Sequence, residues 1–237
     1  MTMHVLQRKA QITEARQQLA RRGLSALDSP VRRLLGRFGL HSSPVIGDRV
    51  KSWDVLTSVD FIERNVAKDA AILDIGAYGS EILSILHRLG YRNLAGADLN
   101  PLLGESPHAG EIRYEVCNFL HTPFKDESFS AITSISVIEH GFQRKELLRE
   151  MSRLLQPGGY FIASFDYWPE KIDTKGQQFF GLDWLIFSAS DIRELVEDAR
   201  NYSLMPCGPM SFSASERTIA CANQRYTFGW LVLQKAR

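Results

Sequence analysis

The chain has 237 residues, of which 44% are hydrophobic and 23% charged, with three cysteines and a formal net charge of +1. This composition is typical of a globular protein with one main domain and an appendage. No apolar run approaches the ~18 residues that cross a bilayer, and the first residues lack the apolar segment of a signal peptide, so we expect a cytoplasmic protein. The cysteines form no C-x-x-C pair, which argues against a structural zinc site.

The first 40 residues are basic: they hold eight Lys or Arg against two Asp or Glu, whereas the rest of the chain holds 20 basic and 25 acidic residues. We therefore divide the chain into a basic helical extension, residues 1–45, and a main domain, residues 46–237. The basic surface is expected to be the solvated face of a packed helix. The alternative is contact with an anionic lipid surface or a phosphorylated carrier. Basic–aromatic interleaving, which would favour nucleic acid, is missing from the sequence.

Two helices are predicted within this extension. The first, from about Val5 to Leu19, has a weak apolar pattern. The second is better specified, because Ser29 is suited to be its N-cap, Pro30 occupies its first position and Gly39 follows its end.

Residues 71–100 predict a strand, a tight turn, a helix and a second strand. An apolar run ends in Asp74, a turn with Gly76 and Gly79 follows, and a segment with apolar residues at helical spacing comes next. The second apolar run ends in Asp98. This βαβ order places a carboxylate at the carboxyl end of each strand, where open α/β sheets bind ligands. Asp98 is well placed to hydrogen-bond a ribose, so the unit predicts a nucleoside site.

The elements that follow continue this alternation of strands and helices. Residues 166–185 are predicted as an irregular loop, and one further strand is expected within residues 204–222. The other predicted elements are strands at 112–117, 130–137, 160–165 and 226–234, a helix around Leu147–Leu155 stopped by Pro157-Gly158-Gly159, and a helix capped by Ser188 or Ser190 that runs through Asp198.

Four motifs follow one another in a characteristic order. They are LDIG from Leu73, NFLHTPFKDESF at residues 118–129, AITSISVIEH ending at His140, and LLQPGGYFIASF ending at Phe165. This series resembles that of the class I S-adenosylmethionine (SAM) dependent methyltransferases with a type 11-like domain. The resemblance implies SAM as cofactor. It also implies an α/β, Rossmann-like fold: a seven-stranded, mostly parallel sheet with flanking helices, here behind an N-terminal helical extension.

The glycine turn departs from two known patterns. Gly76-x-x-Gly79 does not meet the nicotinamide fingerprint G-x-G-x-x-G, which disfavours a nucleotide-dependent oxidoreductase. The turn of the methyltransferases is D-x-G-x-G-x-G, and here Tyr78 and Ser80 stand where its second and third glycines would be. Asn118 replaces the acid that usually receives the adenine amino group. An amide keeps the hydrogen-bonding capacity of that acid and loses its charge.

The resemblance implies a set of cofactor-binding residues. Asp98 would hold the ribose hydroxyls, and Leu99 and Phe119 would sandwich the adenine; the alternative for both apolar residues is ordinary core. Tyr78 would face the sulfonium as a cation–π partner or pack under the first helix of the βαβ unit. Glu81 would meet the methionine ammonium or complement the helix dipole. The full set is Asp74, which orients the turn, with Gly76, Tyr78, Gly79, Glu81, Asp98, Leu99, Asn118 and Phe119.

Lys51, Trp53 and Asp54 form a cluster just before the first predicted strand. Members of the family often use this segment to cover the methionine end of SAM. Trp53 as a packing anchor for the amino-terminal helices is an equal alternative, and Lys51 and Asp54 are not assigned to the site.

His140 and Asp166 end neighbouring strands, so their side chains are expected to meet over the transferred methyl group. A hydroxyl acceptor with a pKa above ~12 benefits from a general base, and its ordinary pKa favours His140; the alternative is that His140 only shapes the pocket. We predict methyl transfer from SAM to a small or carrier-bound acceptor, an oxygen nucleophile such as a sugar hydroxyl, without a metal. The alternative is a non-catalytic SAM-fold partner protein. Deleting residues 1–40 is expected to leave the sheet folded.

Overall fold

The structure is a computed structural model that describes residues 2–27 and 45–237. The predicted helix from Ser29 to Gly39 lies outside these residues. The helices are α1 (Ala10–Arg21), α2 (Ser52–Asn65), α3 (Ile82–Arg88), α4 (Arg144–Leu154) and α5 (Ala189–Ala199). The strands are β1 (Met3–Val5), β2 (Ile72–Ile75), β3 (Leu94–Asp98), β4 (Arg113–Val116), β5 (Phe129–Ile135), β6 (Leu155–Tyr167), β7 (Gln178–Phe179), β8 (Leu182–Asp183), β9 (Leu204–Pro206), β10 (Ile219–Cys221) and β11 (Gln224–Lys235).

The central sheet has the order β4-β3-β2-β5-β6-β11. Its first five strands are parallel to their neighbours, and β11 is antiparallel to β6. The chain moves outward from β2 through β3 to β4 and then returns to the other side of β2 with β5. Such a reversal of strand order opens a crevice at the carboxyl ends of the strands, and this crevice is where open α/β sheets bind ligands. The Rossmann-like architecture predicted from the sequence is therefore confirmed.

Helices cover both faces of the sheet, as a parallel sheet requires, because its strands are apolar on both sides. On one face, α4 and α5 bury Leu148, Met151 and Leu195. On the other face, α1, α2 and α3 bury an equally apolar layer that includes Leu19 and Val59. Among the described residues, none of the helices combines the length and the apolar character that a membrane span requires.

Three short strands cover the outer edge of β11: β10 pairs with its beginning, β1 with its middle and β9 with its end. An uncovered edge would leave a row of backbone N–H and C=O groups unpaired. β1 belongs to the basic extension, where Met3 and Leu6 are fully buried. Because Met3–Val5 form this strand, the first helix begins at Ala10 and not at Val5 as predicted. These contacts disfavour the expectation that residues 1–40 can be removed without affecting the sheet, and both that deletion and the division of the chain at residue 45 stay predictions.

A basic side chain of the extension also pairs with acidic side chains of the main domain. The guanidinium of Arg22 pairs with Asp60 at 2.8 Å and with Glu63, both on α2. α1 thus packs on the main domain partly through its own charges, which agrees with a packed helix more than with a free anion-binding arm. Arg32, Arg33 and Arg37 lie outside the described residues.

The sheet and one loop differ from the prediction in detail. Within residues 2–27 and 45–237 the sheet contains nine strands, where seven were predicted, because β1 and β10 add short pairings to β11. Within residues 166–185, β7 and β8 form a hairpin where an irregular loop was predicted. Phe180 and Gly181 at its turn have φ values of 56° and 75°, as in a type I′ turn, but a Phe-Gly pair lacks the usual Asn-Gly signal. The predicted cap of α5 is confirmed at Ser188, which forms a capping box with Asp191.

Candidate active site

The turn between β2 and α3 is held by the carboxylate at the end of β3. One oxygen of Asp98 accepts a hydrogen bond from the backbone N–H of Tyr78 at 3.0 Å, and the other accepts from that of Asn100 at 2.9 Å. Because each carboxylate oxygen offers two lone pairs, both can accept one further hydrogen bond. Asp98 is half-buried, so a ligand in the crevice can reach it. The structure thus leaves this residue able to bind two neighbouring hydroxyls.

The two glycines of the turn are the positions that need glycine. Gly76 and Gly79 have φ values of 70° and 74°, whereas Tyr78 and Ser80 are not in the left-handed region. A Cβ atom on Gly76 would lie 2.2 Å from the side chain of Val137, so the close approach of the two loops excludes a side chain there. The sequence departures at positions 78 and 80 therefore fall where a side chain is tolerated.

The crevice exposes apolar surface next to Asp98. Leu99 and Val116, at the carboxyl ends of β3 and β4, are each 54% exposed, and Leu102 is 45% exposed. Asn118 is exposed, and its side-chain oxygen accepts from the N–H of Leu120 at 2.9 Å. Because this oxygen is engaged, the amide nitrogen of Asn118 is the group that can donate a hydrogen bond to a ligand. Val116 and Leu102 were not among the cofactor residues predicted from the sequence, which marked neither of them.

Tyr78 and Phe119 have the surroundings of packing residues, which was the alternative to their predicted roles in cofactor binding. Tyr78 is half-buried and packs against the apolar layer under α1, α2 and α3. Phe119 is half-buried against the layer on the opposite face. Their contacts are those of packing residues, and their predicted contacts with a cofactor stay predictions.

Asp74 lies beneath the turn and not on its surface. The residue is fully buried, and the hydroxyl of Thr133 donates to its carboxylate at 2.7 Å, linking β2 to β5. Burial raises the pKa of Asp74 to about 7, an effect that the Thr133 hydrogen bond opposes. Asp74 therefore influences the site indirectly, because it fixes the end of β2 from which the turn begins.

Glu81 is already paired within the protein. Its carboxylate accepts from both terminal nitrogens of the Arg16 guanidinium, one at 3.1 Å, and from the N–H of Ala26 at 3.3 Å. The side chains of Arg16 and Glu81 are 11% and 1% exposed. These contacts disfavour the predicted pairing of Glu81 with a methionine ammonium. The sequence offered no sign of the partner, because α1 lies 65 residues away along the chain.

A cleft of about 280 Å³ lies beside the carboxyl ends of β5 and β6, where the sequence predicts the acceptor site. His140 and Asp166 both line it, so the structure brings these two predicted residues together. Asp166 lies within β6, and the indole N–H of Trp184 donates to its carboxylate at 2.8 Å. The rings of Phe179 and Phe180 approach that of His140, each with a centroid distance of 5.8 Å. Phe180, at the tip of the hairpin, is 91% exposed.

Three buried carboxyl groups share this region with one lysine. Burial raises the pKa of Asp54 to about 7 and that of Asp166 to about 6, and the charge of Lys51 counteracts both shifts. Burial and the neighbouring Asp166 raise the pKa of Glu139 well above its usual range. One oxygen of Glu139 lies buried without a hydrogen-bond partner. The cleft thus contains carboxyl groups that can exchange protons near neutral pH.

The pKa values of His140 and Asp166 reverse the preference for His140 as the base that was drawn from the sequence. Burial and the charge of Lys51 lower the pKa of His140 to about 4. A base this weak contributes little to removing a proton from a hydroxyl, whereas the carboxylate of Asp166 is the stronger base of the two. The structure therefore favours Asp166 as the base and His140 as part of the pocket wall.

Lys51, Glu139 and Tyr226 also line the cleft, and the sequence prediction assigned none of them to the site. Asp54 stands directly behind it, where its carboxylate accepts from the hydroxyl of Ser164 at 3.0 Å. The unusual Lys51–Asp54 cluster was the available signal for two of these residues. Nothing local marked Tyr226, which reaches the cleft only because β11 pairs with β6.

Residues 73–163 match a family model described as a methyltransferase domain. A curated relative, "Probable tRNA methyltransferase 9B" of Mus musculus, is 50% identical over 51 residues, which cover 20% of this chain and 11% of the mouse protein. The chain therefore matches about a tenth of the length of this relative.

Solved structures share the fold over most of the chain. The geranyl diphosphate C-methyltransferase of Streptomyces coelicolor A3(2) aligns with a TM-score of 0.57 and 17% identity, covering 94% of this chain and 98% of its own. The 1,6-didemethyltoxoflavin-N1-methyltransferase of Burkholderia thailandensis aligns with a TM-score of 0.55 and 16% identity, covering 78% and 79%. Both were crystallised with S-adenosylhomocysteine. Residues 73–163 thus match a methyltransferase domain, and most of the chain has the fold of these two S-adenosylhomocysteine-bound methyltransferases.

Proposed function

We propose that this protein transfers the methyl group of SAM to an acceptor bound in the cleft of His140 and Asp166. The observation that carries the proposal is the arrangement at Asp98. This carboxylate orders the glycine turn and keeps lone pairs for a ribose, beside the exposed apolar residues Leu99 and Val116. Such a site fits a nucleoside cofactor. Because the methyl group of a sulfonium is already activated, alignment of the acceptor supplies most of the catalysis, about 7–11 kcal/mol.

The proposed acceptor is an oxygen nucleophile, such as a sugar hydroxyl, on a small or carrier-bound molecule. Asp166 supports this choice, because a carboxylate with a pKa near 6 is ionised at neutral pH and can accept the hydroxyl proton. Glu139 lines the same cleft, and its carboxyl group, whose pKa is raised by burial and by Asp166, can donate a hydrogen bond to a second polar group of the acceptor. The aromatic rings of Phe179 and Phe180 supply a flat apolar wall for a ring-shaped acceptor.

A nitrogen acceptor is the second candidate. The observation that favours it is the group of carboxyls around Lys51, of which Asp166, with a pKa of about 6, is ionised at neutral pH and Asp54, with a pKa of about 7, is partly ionised. A cationic or amine-bearing molecule would stabilise the ionised forms of these carboxyls, and a free amine needs no strong base. The third alternative, a non-catalytic SAM-fold partner protein, rests on the altered turn alone.

Calorimetry and a methyl-transfer assay distinguish these candidates. We expect SAM and S-adenosylhomocysteine to bind the full-length protein at one site, and NAD not to bind. Labelled SAM is then offered with pools of sugars, amines, lipids and RNA. Transfer to hydroxyls supports the first candidate and transfer to amines the second. SAM binding without transfer to any pool would favour the non-catalytic alternative, and absence of SAM binding would overturn the proposal.

Asp98→Ala is expected to weaken SAM binding by about 2–3 kcal/mol, which is tens to a hundredfold in Kd. The substitution removes the acceptor for the ribose hydroxyls and leaves the N–H of Tyr78 without its partner. Calorimetry measures the change, and circular dichroism verifies that the variant is folded. Glu105→Ala, which removes an exposed acid nearby, is the matched control and should bind SAM normally. Unchanged SAM affinity in a folded Asp98→Ala variant would contradict the assignment.

A further inference from the structure

Two histidines and a glutamate meet at the edge of the sheet opposite to the glycine turn. His87 lies in the last turn of α3, and His108 and Glu111 belong to the loop that leads into β4. Because α3 starts at the carboxyl ends of the strands and runs back, its end and this loop both lie at the amino edge. No step of the proposed methyl transfer uses these residues, so their proximity needs a separate explanation.

The three side chains are close enough to share one ion. The Nε2 atom of His87 lies 2.9 Å from a carboxylate oxygen of Glu111, and the rings of His87 and His108 stack with centroids 4.2 Å apart. One ligand atom from each residue lies within 4.8 Å of the other two. Zinc binds nitrogen and oxygen ligands at about 2.0–2.2 Å, which places any two of them up to about 4 Å apart. Rotation of the imidazoles out of their stack would therefore suffice to direct all three atoms at one ion.

One side of the cluster of His87, His108 and Glu111 is shielded from solvent, and the other side is open to it. The side chain of His87 is 15% exposed and that of Glu111 is 63% exposed, so an ion can enter from solvent and keep a water as a further ligand. His108 has a φ value of 62°, and its carbonyl accepts from the N–H groups of Glu111 and Ile112, each at 2.8 Å. This tight turn holds the His108 ring over His87.

The donor set also selects the kind of ion. Two imidazoles and one carboxylate suit zinc and its neighbours in the first transition row, whereas magnesium and calcium require oxygen ligands. Arg88 and Arg92 are adjacent cations whose charges oppose any bound cation, so the site requires an ion that imidazole binds strongly. We propose that His87, His108 and Glu111 form a binding site for a transition-metal ion, foremost zinc, which clamps the end of α3 to the loop before β4.

The direct test is a zinc titration of the full-length protein, without a histidine tag and after treatment with a chelator. Isothermal calorimetry should detect one site per chain. His87→Ala and His108→Ala should each weaken binding by at least about tenfold, since each removes one of only three protein ligands. His121→Ala removes an exposed histidine elsewhere and should leave the titration unchanged.

Thermal unfolding gives a second readout that does not depend on enzyme activity. Zinc at about 100 times its Kd should raise the Tm of the native sequence by roughly 5–10 °C and that of His108→Ala by much less. Cobalt reports on the ligands, because coordination by Cys117, Cys207 or Cys221 would produce thiolate charge-transfer absorption. A cobalt spectrum with thiolate bands, zinc binding that survives in the double variant His87→Ala/His108→Ala, or no binding below about 100 μM would each overturn the proposal.

Discussion

Asp166→Asn is expected to lower turnover by about 10²–10⁴-fold while SAM binding is retained. The substitution preserves the shape of the side chain, and the amide oxygen can still accept from Trp184, whereas the negative charge and the ability to take a proton are removed. His140→Ala should cost less, because burial and Lys51 lower the pKa of that imidazole to about 4 and leave it a weak base. Single-turnover kinetics with saturating SAM separate the chemical step from cofactor binding.

The pH profile identifies the base directly. A general base must be deprotonated to act, and burial raises the pKa of Asp166 to about 6. Turnover should therefore rise as the pH increases through about 6 and level off above it, and the Asn variant should lack this rise. A base with the pKa of His140 would place the rise near pH 4 instead.

The control for this experiment is Asp69→Asn, which changes an exposed aspartate and should leave turnover unaffected. If His140→Ala is the more damaging variant, the histidine is the base and the bound acceptor must raise its pKa. If neither variant slows turnover, the acceptor needs no protein base, as an amine would allow.

Glu81→Ala is expected to destabilise the protein by about 3–5 kcal/mol. The substitution leaves the guanidinium of Arg16 buried without its counter-charge, while Ser52 and Ser25 offer only neutral hydroxyls. Denaturant unfolding measures the loss. The double variant Arg16→Met/Glu81→Leu should recover much of it, because two apolar side chains remove the unpaired charge as well.

Glu194→Ala is the matched control, since it breaks an exposed pair with Arg144 whose N–O distance is 2.9 Å and whose glutamate is 64% exposed. Exposed pairs contribute about 0–1 kcal/mol. Equal losses in Glu81→Ala and Glu194→Ala would mean that the Arg16–Glu81 pair does not hold the extension on the main domain. A loss of several kcal/mol for Glu81→Ala alone would show that the extension is part of the cooperative fold.

Local sequence patterns determined the βαβ unit, the cap of α5 and the general position of most strands. These features depend on apolar periodicity and on cap or turn residues within a few positions of one another, so they are visible in one stretch of chain. Asp98 was identifiable for the same reason: the acid follows directly on its strand, and the carboxyl end of a parallel strand has a defined place in the fold. The glycine turn was recognised as well, although the sequence did not explain why Tyr78 and Ser80 are tolerated there.

Only the tertiary structure determined which residues pair with each other and how the pKa values of the buried side chains are shifted. Arg16 meets Glu81, β1 completes the edge of β11, and Asp54 and Tyr226 reach the region of Asp166 through pairings between segments far apart in the chain. The preference for His140 as the base followed from its ordinary pKa, and burial beside Lys51 reverses it. A pKa depends on desolvation and on neighbouring charges, and both are set when distant segments pack together, which is why no local pattern could supply them.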